Sequence, residues 1–383
     1  MGISQNDITE YILSNVSLSQ LSDQDKSEIK NNLMDIYYDV NFTSSDEYVL
    51  DNLINYVINQ LCEKYKSCQY RKQQLQVLKQ LKLPEQRSPE WYEMRKDKLT
   101  ASSMASALGK CHFTSRNELL LDKIIEKPYV ANPITEHGVK YEDVAIQFYE
   151  ELYNTKIVDF GMIPHPEFEA FGASPDGICD DTGNDEYVGR MVEIKCPPKR
   201  KFTKTVPPHY WQQVQGQLEV CNLDECDFFQ VKIVDYESYE EYCKDIFTID
   251  DDILPGRNKH NYPKGVTLTY KVGETLSYVY CELNKTNEEY LTWIESQTKE
   301  NLFETKWWNI ERYETTLVVR DKQWWLENME HILSFYKDLL YYKGVGNVDE
   351  LRNKVEEEIQ RKKKRKQTEV LLDSFLLISD DED

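Results

Sequence analysis

Apolar residues recur at helical spacing near both ends of this chain and at strand spacing in its middle. Early on, Ile8, Tyr11 and Ile12, then Leu53, Ile54, Val57 and Leu61, are separated by polar stretches in the one-sided pattern of amphipathic helices. Residues 1–83 are therefore expected to form a helical N-terminal extension, and they carry no chemical motif. From residue 84 the signals change. Ser88-Pro89 reads as a helix start, because Ser accepts from free amides and Pro suits the first helical position. Thr100 can cap a second helix, Gly109 can close it, and Ser115-Arg116-Asn117-Glu118 spells a capping box for a third. A longer helix is predicted over 135–153, with Val144, Phe148 and Leu152 on one side and Glu142 away from that row.

The middle of the chain reads as strands. In Met191-Val192-Glu193-Ile194-Lys195-Cys196, Val192, Ile194 and Cys196 point one way and Glu193 and Lys195 the other, the period of a half-buried strand. Residues 168–180 read as a strand running into a turn at Ser174-Pro175-Asp176-Gly177, so Asp176 can sit on a neighbouring strand. After Pro207-Pro208 a helix is predicted through 210–218, with Gln213 and Gln217 sharing a face. A further strand is predicted over 228–236.

Beyond residue 286 aromatics accumulate, among them Trp293, Trp307, Trp308, Trp324, Trp325, Tyr336, Tyr341 and Tyr342. Base stacking and helical packing are both open to them. The spacing of Trp325, Met329, Ile332, Tyr336 and Leu339 favours helices, so 286–360 is expected to be a helical region packed on the core. Residues 361–383 read as a tail without fixed structure, basic at Arg361-Lys362-Lys363-Lys364-Arg365-Lys366 and acidic at its end. The basic run suits a nuclear address or a DNA-attracting arm. Gln367, Leu372, Phe375 and Leu376 loosely resemble a sliding-clamp peptide, with spacing that departs from that pattern. Together the elements predict an α/β (α+β) fold, with a mixed central sheet over 84–285 flanked by helices.

At 383 residues with 40% hydrophobic content, the chain can bury a real core. It has no run of about 18 apolar residues and no basic start followed by an apolar run. No membrane span or signal peptide is expected, and the protein is placed inside the cell. Nine scattered cysteines without a Cys-x-x-Cys pair suit reduced thiols better than a disulfide framework or a structural zinc. The net charge of −22 opposes nucleic-acid binding at first sight. Cations nevertheless cluster locally at Lys195, Lys199, Arg200, Lys201 and Lys204, and at Arg95, Lys96 and Lys98. Phosphate responds to that local field more than to net charge, so weak nonspecific affinity with steep salt dependence is expected.

Glu142, Asp176 and the Glu193-Ile194-Lys195 tripeptide carry the candidate chemistry. Carboxylates gathered beside one lysine can hold divalent metal against a phosphodiester, and the lysine can orient or deprotonate a water. Each piece has a bland reading. Pro175-Asp176-Gly177 is a strong turn signal, Glu142 suits an exposed helix face, and the same tripeptide at Glu28-Ile29-Lys30 reads as exposed helix. Order and strand context separate the second copy from the first.

These motifs resemble the phage lambda exonuclease and YqaJ-type viral recombinase nucleases of the restriction-endonuclease-like superfamily. The resemblance runs from Arg87-Ser88-Pro89-Glu90-Trp91 through Thr100-Ala101-Ser102, Gly138 to Glu142, Ser174 to Gly177 and Glu193 to Pro197, and ends at Gln213-Val214-Gln215 and Gln217. Arg320-Asp321-Lys322-Gln323-Trp324-Trp325 also resembles C-terminal segments of the versions in large DNA viruses. The resemblance implies a restriction-endonuclease-like core and the catalytic set Glu142, Asp176, Glu193 and Lys195. Asp176, Glu193 and the Ile194 carbonyl would bind metal, with Glu142 supporting the second of two Mg²⁺ ions, for which Mn²⁺ could substitute. A 5′-phosphate pocket would fall on Arg95, Ser102, Ser174 and Gln213, and the Gln217 amide would add a neutral contact to water or phosphate.

The implied activity is a Mg²⁺-dependent DNA exonuclease, 5′ to 3′ on duplex ends, in viral DNA recombination, repair or genome processing. Its implied partners are DNA, a single-strand annealing recombinase and, through the tail, a sliding clamp. Two other readings stand beside it: a structure-selective or nicking endonuclease on the same core, and a DNA-end-binding or clamp-tethered scaffold without catalysis.

Overall fold

The computed structural model describes residues 4–15, 23–37, 43–96, 98–125, 132–199, 201–344 and 346–379, without the side chains of 15, 23 and 365–379. Arg200 and the side chains of the clamp-like peptide from Gln367 to Leu376 therefore lie outside the described residues. The chain divides into two compact units, Met1–Gln80 with Asn184–Gly189, and Leu81–Gly183 with Arg190–Asp383.

The first unit holds α1 (Gln5–Asn15), α2 (Asp23–Tyr37) and α3 (Ser44–Lys79). Thr43 opens α3 with a reciprocal capping box to Asp46, satisfying two amides that a helix start leaves free. Ile8, Ile12, Ile29, Leu33, Leu50, Ile54, Val57, Ile58 and Cys62 form its core. Further along α3, Arg71 donates to the Val188 carbonyl at 2.7 Å and Lys72 pairs with Asp185 at 2.7 Å. This is how Asn184–Gly189 comes to belong to the helical unit, a connection no local pattern announces.

The second unit begins with α4 (Pro89–Lys96), where Ser88 Oγ accepts from the Trp91 amide at 3.2 Å. There follow β1 (Leu99–Thr100), a 3-10 turn at Ala101–Ser103, α5 (Met104–Ala107), α6 (Arg116–Ile124) and α7 (Pro133–Tyr153). Ser115 and Glu118 make the expected capping box, whereas Thr100 makes no side-chain cap. Instead its hydroxyl lies 3.1 Å from that of Ser102 and 3.2 Å from that of Ser103. Asn132 and Pro133 start α7, and Asn154 ends it in the left-handed region at φ 50°. Its inner face is Tyr141, Val144, Ala145, Phe148 and Tyr149; Leu152, expected on that face, is 37% exposed.

The strands β2 (Thr155–Val158), β3 (Ile163–Pro164), β4 (Phe171–Ala173), β5 (Gly177–Gly183) and β6 (Met191–Lys195) come next. After them stand α8 (Pro208–Cys221), β7 (Glu225–Asp235), α9 (Tyr239–Lys244), β8 (Thr248–Ile249), β9 (Asp252–Ile253), β10 (Lys264–Val272), β11 (Thr275–Tyr280) and α10 (Asn287–Ser296). β12 (Leu302–Val319), α11 (Lys322–Gly344) and α12 (Val348–Ser379) complete the order. The main sheet has seven strands in the order β11-β10-β12-β7-β6-β5-β2. β6 and β7 run parallel, and the other neighbours run antiparallel. β1, β4 and β3 form a smaller sheet. The architecture is thus mixed α/β, a central mixed sheet flanked by helices.

Two expectations need correction. Residues 286–360 are not helical throughout: β12 is an 18-residue strand lying between β7 and β10. Trp307 and Trp308, read above among aromatics of helical packing, sit on this strand at 9% and 1% exposure. Thr305, Ile310, Thr315, Thr316, Val318 and Val319 accompany them, and such β-branched and aromatic side chains fit a pleated surface. The tail also departs from expectation, because α12 continues through Arg361–Lys364. Glu358 on α12 accepts from Ser115 Oγ at 2.6 Å and Asn117 Nδ2 at 2.7 Å, and Lys362 donates to Glu118 at 3.0 Å. The helix is thus held against the start of α6.

Candidate active site

The pairing of β5 with β6 creates the centre of the site. Gly177 lies opposite Val192 and Ile178 opposite Met191, so the turn before β5 delivers Asp176 beside the far end of β6. Asp176 Oδ2 accepts from the Ile194 amide at 2.7 Å. A Cβ on Gly177 would lie 2.2 Å from Ile157 Cγ2 on β2, so only glycine lets the sheet close behind this aspartate. Gln86 secures the same turn from outside, donating to the Pro175 carbonyl at 3.1 Å and the Phe160 carbonyl at 3.0 Å.

Glu193 and Lys195 leave one face of β6, as the alternation requires. Glu193 is fully buried, and a buried carboxylate must be hydrogen-bonded. It accepts from Lys195 Nζ, from Gln213 Nε2 at 2.6 Å and from Gln217 Nε2 at 2.7 Å. Gln213 and Gln217 are one turn apart on α8. Their helix can approach because of Gly216, where a Cβ would lie 3.0–3.3 Å from Met104, Phe171 and Ala101. Lys195 also donates to the Ile194 carbonyl at 3.0 Å, stands 3.8 Å from Asp176 Oδ2 and lies 5.2 Å from the Tyr210 ring. Burial works against its charge, but Glu193 and Asp176 outweigh burial and raise its pKa. In this arrangement Lys195 is a fixed cation.

Glu142 comes from α7, where both oxygens accept from Arg87 Nη2 at 3.1 Å. Arg87 itself occupies the left-handed region at φ 65°, an uncommon place for a residue with a side chain. Burial raises the Glu142 pKa against the pull of Arg87 and Lys195, with Asp143 and Glu193 adding repulsion. Asp176 is raised well above the usual carboxylate range by burial, then by Glu193 and Glu142, with Lys195 opposing. The carboxyls therefore repel one another in a partly dry cleft.

The cationic side is built from α4 and the turn after β1. Arg95 lies over the Trp91 ring at 4.2 Å and donates to Ser102 Oγ at 3.4 Å. The Trp91 indole donates to Ser174 Oγ at 3.0 Å. Glu142, Asp176, Glu193, Lys195, Arg95, Ser102, Ser174 and Gln213 all line one cleft with a volume of about 190 Å³.

Two sequence candidates are not among the lining residues: Ile194, a candidate through its carbonyl, and Gln217. Gln217 is 1% exposed and donates to Glu193 and, at 3.4 Å, to the Ser174 carbonyl. Its place is behind the carboxylate rather than against a phosphate. Arg87, Gln86, Trp91 and Thr100 line the cleft as well and were not singled out as site residues. Arg87 and Gln86 gave no local signal, since their partners are more than fifty residues away in sequence. Cys196, the neighbouring thiol, is buried, and burial raises its pKa, which suits a packed residue and not a nucleophile.

Among the described residues, no group of three or more His, Cys, Asp or Glu side chains is arranged as a ready-made metal cage. The donor chemistry still fits a hard divalent cation: carboxylate oxygens converge beside a backbone carbonyl, and two of the carboxyls are raised partly by mutual repulsion that a cation would relieve.

Residues 90–224 match the YqaJ-like viral recombinase domain. An uncharacterized protein of Acanthamoeba polyphaga mimivirus is 30% identical over 331 residues, covering 76% of this chain and 60% of that protein. A protein of African swine fever virus is 27% identical over 161 residues, 35% of this chain and 46% of that protein. The chain thus spans less than two thirds of the length of these relatives. Among solved structures, the alkaline exonuclease LHK-Exo from Laribacter hongkongensis aligns over 70% of this chain and 99% of its own, at 19% identity and a TM-score of 0.40. No described helix is long and apolar enough to cross a membrane.

Proposed function

We propose that this protein is a Mg²⁺-dependent DNA exonuclease, acting 5′ to 3′ on duplex ends in the recombination, repair or genome processing of a large DNA virus. One observation carries the reading. Residues scattered from Arg95 to Gln213 converge on a single cleft that carries both carboxylates and cationic, hydroxyl and amide donors. A phosphodiester needs both: anions to hold metal, and donors to hold the phosphate that is not cut.

Asp176, Glu193 and the Ile194 carbonyl would hold one ion, and Glu142 would support a second. When bound, Mg²⁺ supplies Lewis acidity toward a phosphoryl oxygen and makes a bound water acidic. The chain's own groups do the rest. Gln213 and Gln217 fix the Glu193 carboxylate, and the Ile194 amide fixes Asp176. Lys195, kept protonated by its two carboxylate neighbours, offsets charge that develops on the attacked phosphate. It fits that role better than the role of a base. Arg95, with the Ser102 and Ser174 hydroxyls and the Gln213 amide, would hold a terminal phosphate. Fixing that phosphate selects the bond presented to the carboxylates, which is how end recognition becomes polarity.

End-labelled linear duplex incubated with Mg²⁺ or with EDTA tests the proposal. Asp176→Ala, Glu193→Ala and Lys195→Ala proteins should fold and lose about a hundredfold or more of Mg²⁺-dependent digestion. Undiminished digestion by all three would refute it. Cutting of covalently closed circles would replace the exonuclease with an endonuclease.

A further inference from the structure

Arg95 lines two clefts. Beside the one described above lies a larger cleft, about 540 Å³, lined by Arg95, Lys96, Lys123 and Lys343 together with two carboxylates, Glu93 and Asp122. Three elements build it. Arg95 and Lys96 end α4, Lys123 lies in the last turn of α6, and Lys343 lies in the last turn of α11. Lys123 Nζ donates to the Arg95 carbonyl at 3.2 Å, which ties the floor of the cleft to the phosphate-side residue. Glu93 is engaged by Lys96 at 2.9 Å. Cations thus outnumber carboxylates by four to two along this lining, on a chain whose net charge is −22. Such a local reversal of sign focuses a field that attracts an anion. The wall is polar and open, which suits a hydrated, extended polyanion better than an apolar ligand.

We infer that this second cleft binds the backbone of a single-stranded extension, so that the scissile strand runs from the carboxylates past Arg95 toward Lys96, Lys123 and Lys343. This rests on the nuclease reading and deepens it: Arg95, which lines both clefts, holds the terminal phosphate of a blunt end, and on a longer 5′ strand it holds an internal phosphate while the extension continues into the second cleft. Substrates with a 5′ overhang or flap are then bound better than blunt ends.

The test uses the full chain with Asp176→Asn as a binding-only form, and fluorescent duplexes that are either blunt or extended by a short 5′ single strand. Lys96 and Lys343 are exposed, so Lys96→Glu/Lys343→Glu can be made without touching Lys123 or Arg95. The parent should bind the extended duplex more tightly. The double variant should lose about tenfold on that duplex, with blunt binding unchanged, and its salt slope should fall by about 1.4, at about 0.7 per single-strand phosphate contact. Lys96→Arg/Lys343→Arg should bind as the parent does. Equal weakening on both duplexes, or none on either, overturns the inference while leaving the nuclease intact. A wild-type chain that neither binds nor digests any DNA overturns the nuclease reading first.

Discussion

Replacing Gln217 with leucine separates two roles for this amide. The side chain is buried, its Nε2 lies 2.7 Å from Glu193 Oε2, and its Oε1 has no hydrogen-bond partner. Leucine has a similar volume, so little cavity is created. The change removes a hydrogen bond to a charged group, worth about 1.5–3 kcal/mol, and the long 3.4 Å contact to the Ser174 carbonyl, which adds little; it also removes an unsatisfied buried carbonyl, whose loss returns about 1 kcal/mol. The net destabilisation is about 0.5–2 kcal/mol, on the order of a few degrees in Tm for a unit of this size. Glu193 keeps Lys195 and Gln213 but loses the restraint on its second oxygen. A carboxylate so loosened should lower kcat about tenfold, which is about 1.4 kcal/mol of transition-state stabilisation. Calorimetry, steady-state digestion of linear duplex and fluorescence anisotropy on the same preparation make the test. The expected result is lower Tm, lower kcat and unchanged DNA affinity. A weakened Kd with unchanged Tm would show that Gln217 faces the substrate, and the positioning argument would be wrong.

Asp176→Asn should raise Tm at pH 8. A carboxyl whose pKa is raised in the folded state stabilises that state below its unfolded pKa and forfeits this as pH rises through the folded value; the advantage of Asn should therefore shrink on acidification, and a constant advantage across pH would refute the assignment. Gly216→Ala should press α8 away from Met104, Phe171 and Ala101; overpacking costs about 1–3 kcal/mol against about 1 kcal/mol gained in helix propensity, so the readout is kcat, which should fall through the displaced glutamines, and wild-type kcat would refute the close approach. Arg87→Ala removes the group that holds the Glu142 pKa down. The acid limb of the pH–rate profile should move to higher pH, while Arg87's exposure limits the stability loss to about 1 kcal/mol or less; an unmoved limb in the rate profile would remove Arg87 from the site.

The strand bearing Glu193 and Lys195 was legible because alternation over 191–196 assigns the two faces without any tertiary information. The same holds for the helix 135–153, the start at Ser88-Pro89 and the capping box at Ser115, whose partners are a few residues away. β12 was not legible in this way. Its aromatics suit helix or strand, and its pairing with β7 and β10 is paid for by contacts across the whole second unit.

For the candidate site, the sequence by itself determined which groups are present and, for Glu193 and Lys195, that they share a face. Local periodicity does that, because side-chain direction follows from backbone geometry alone. Tertiary structure alone decided that Asp176 docks on the Ile194 amide, that Arg87 reaches Glu142, that Gln217 turns inward to Glu193, and that Lys343 joins Lys96. Those distances depend on how helices cross the sheet. Packing of glycines such as Gly177 and Gly216 sets that crossing, and no short stretch of sequence encodes it.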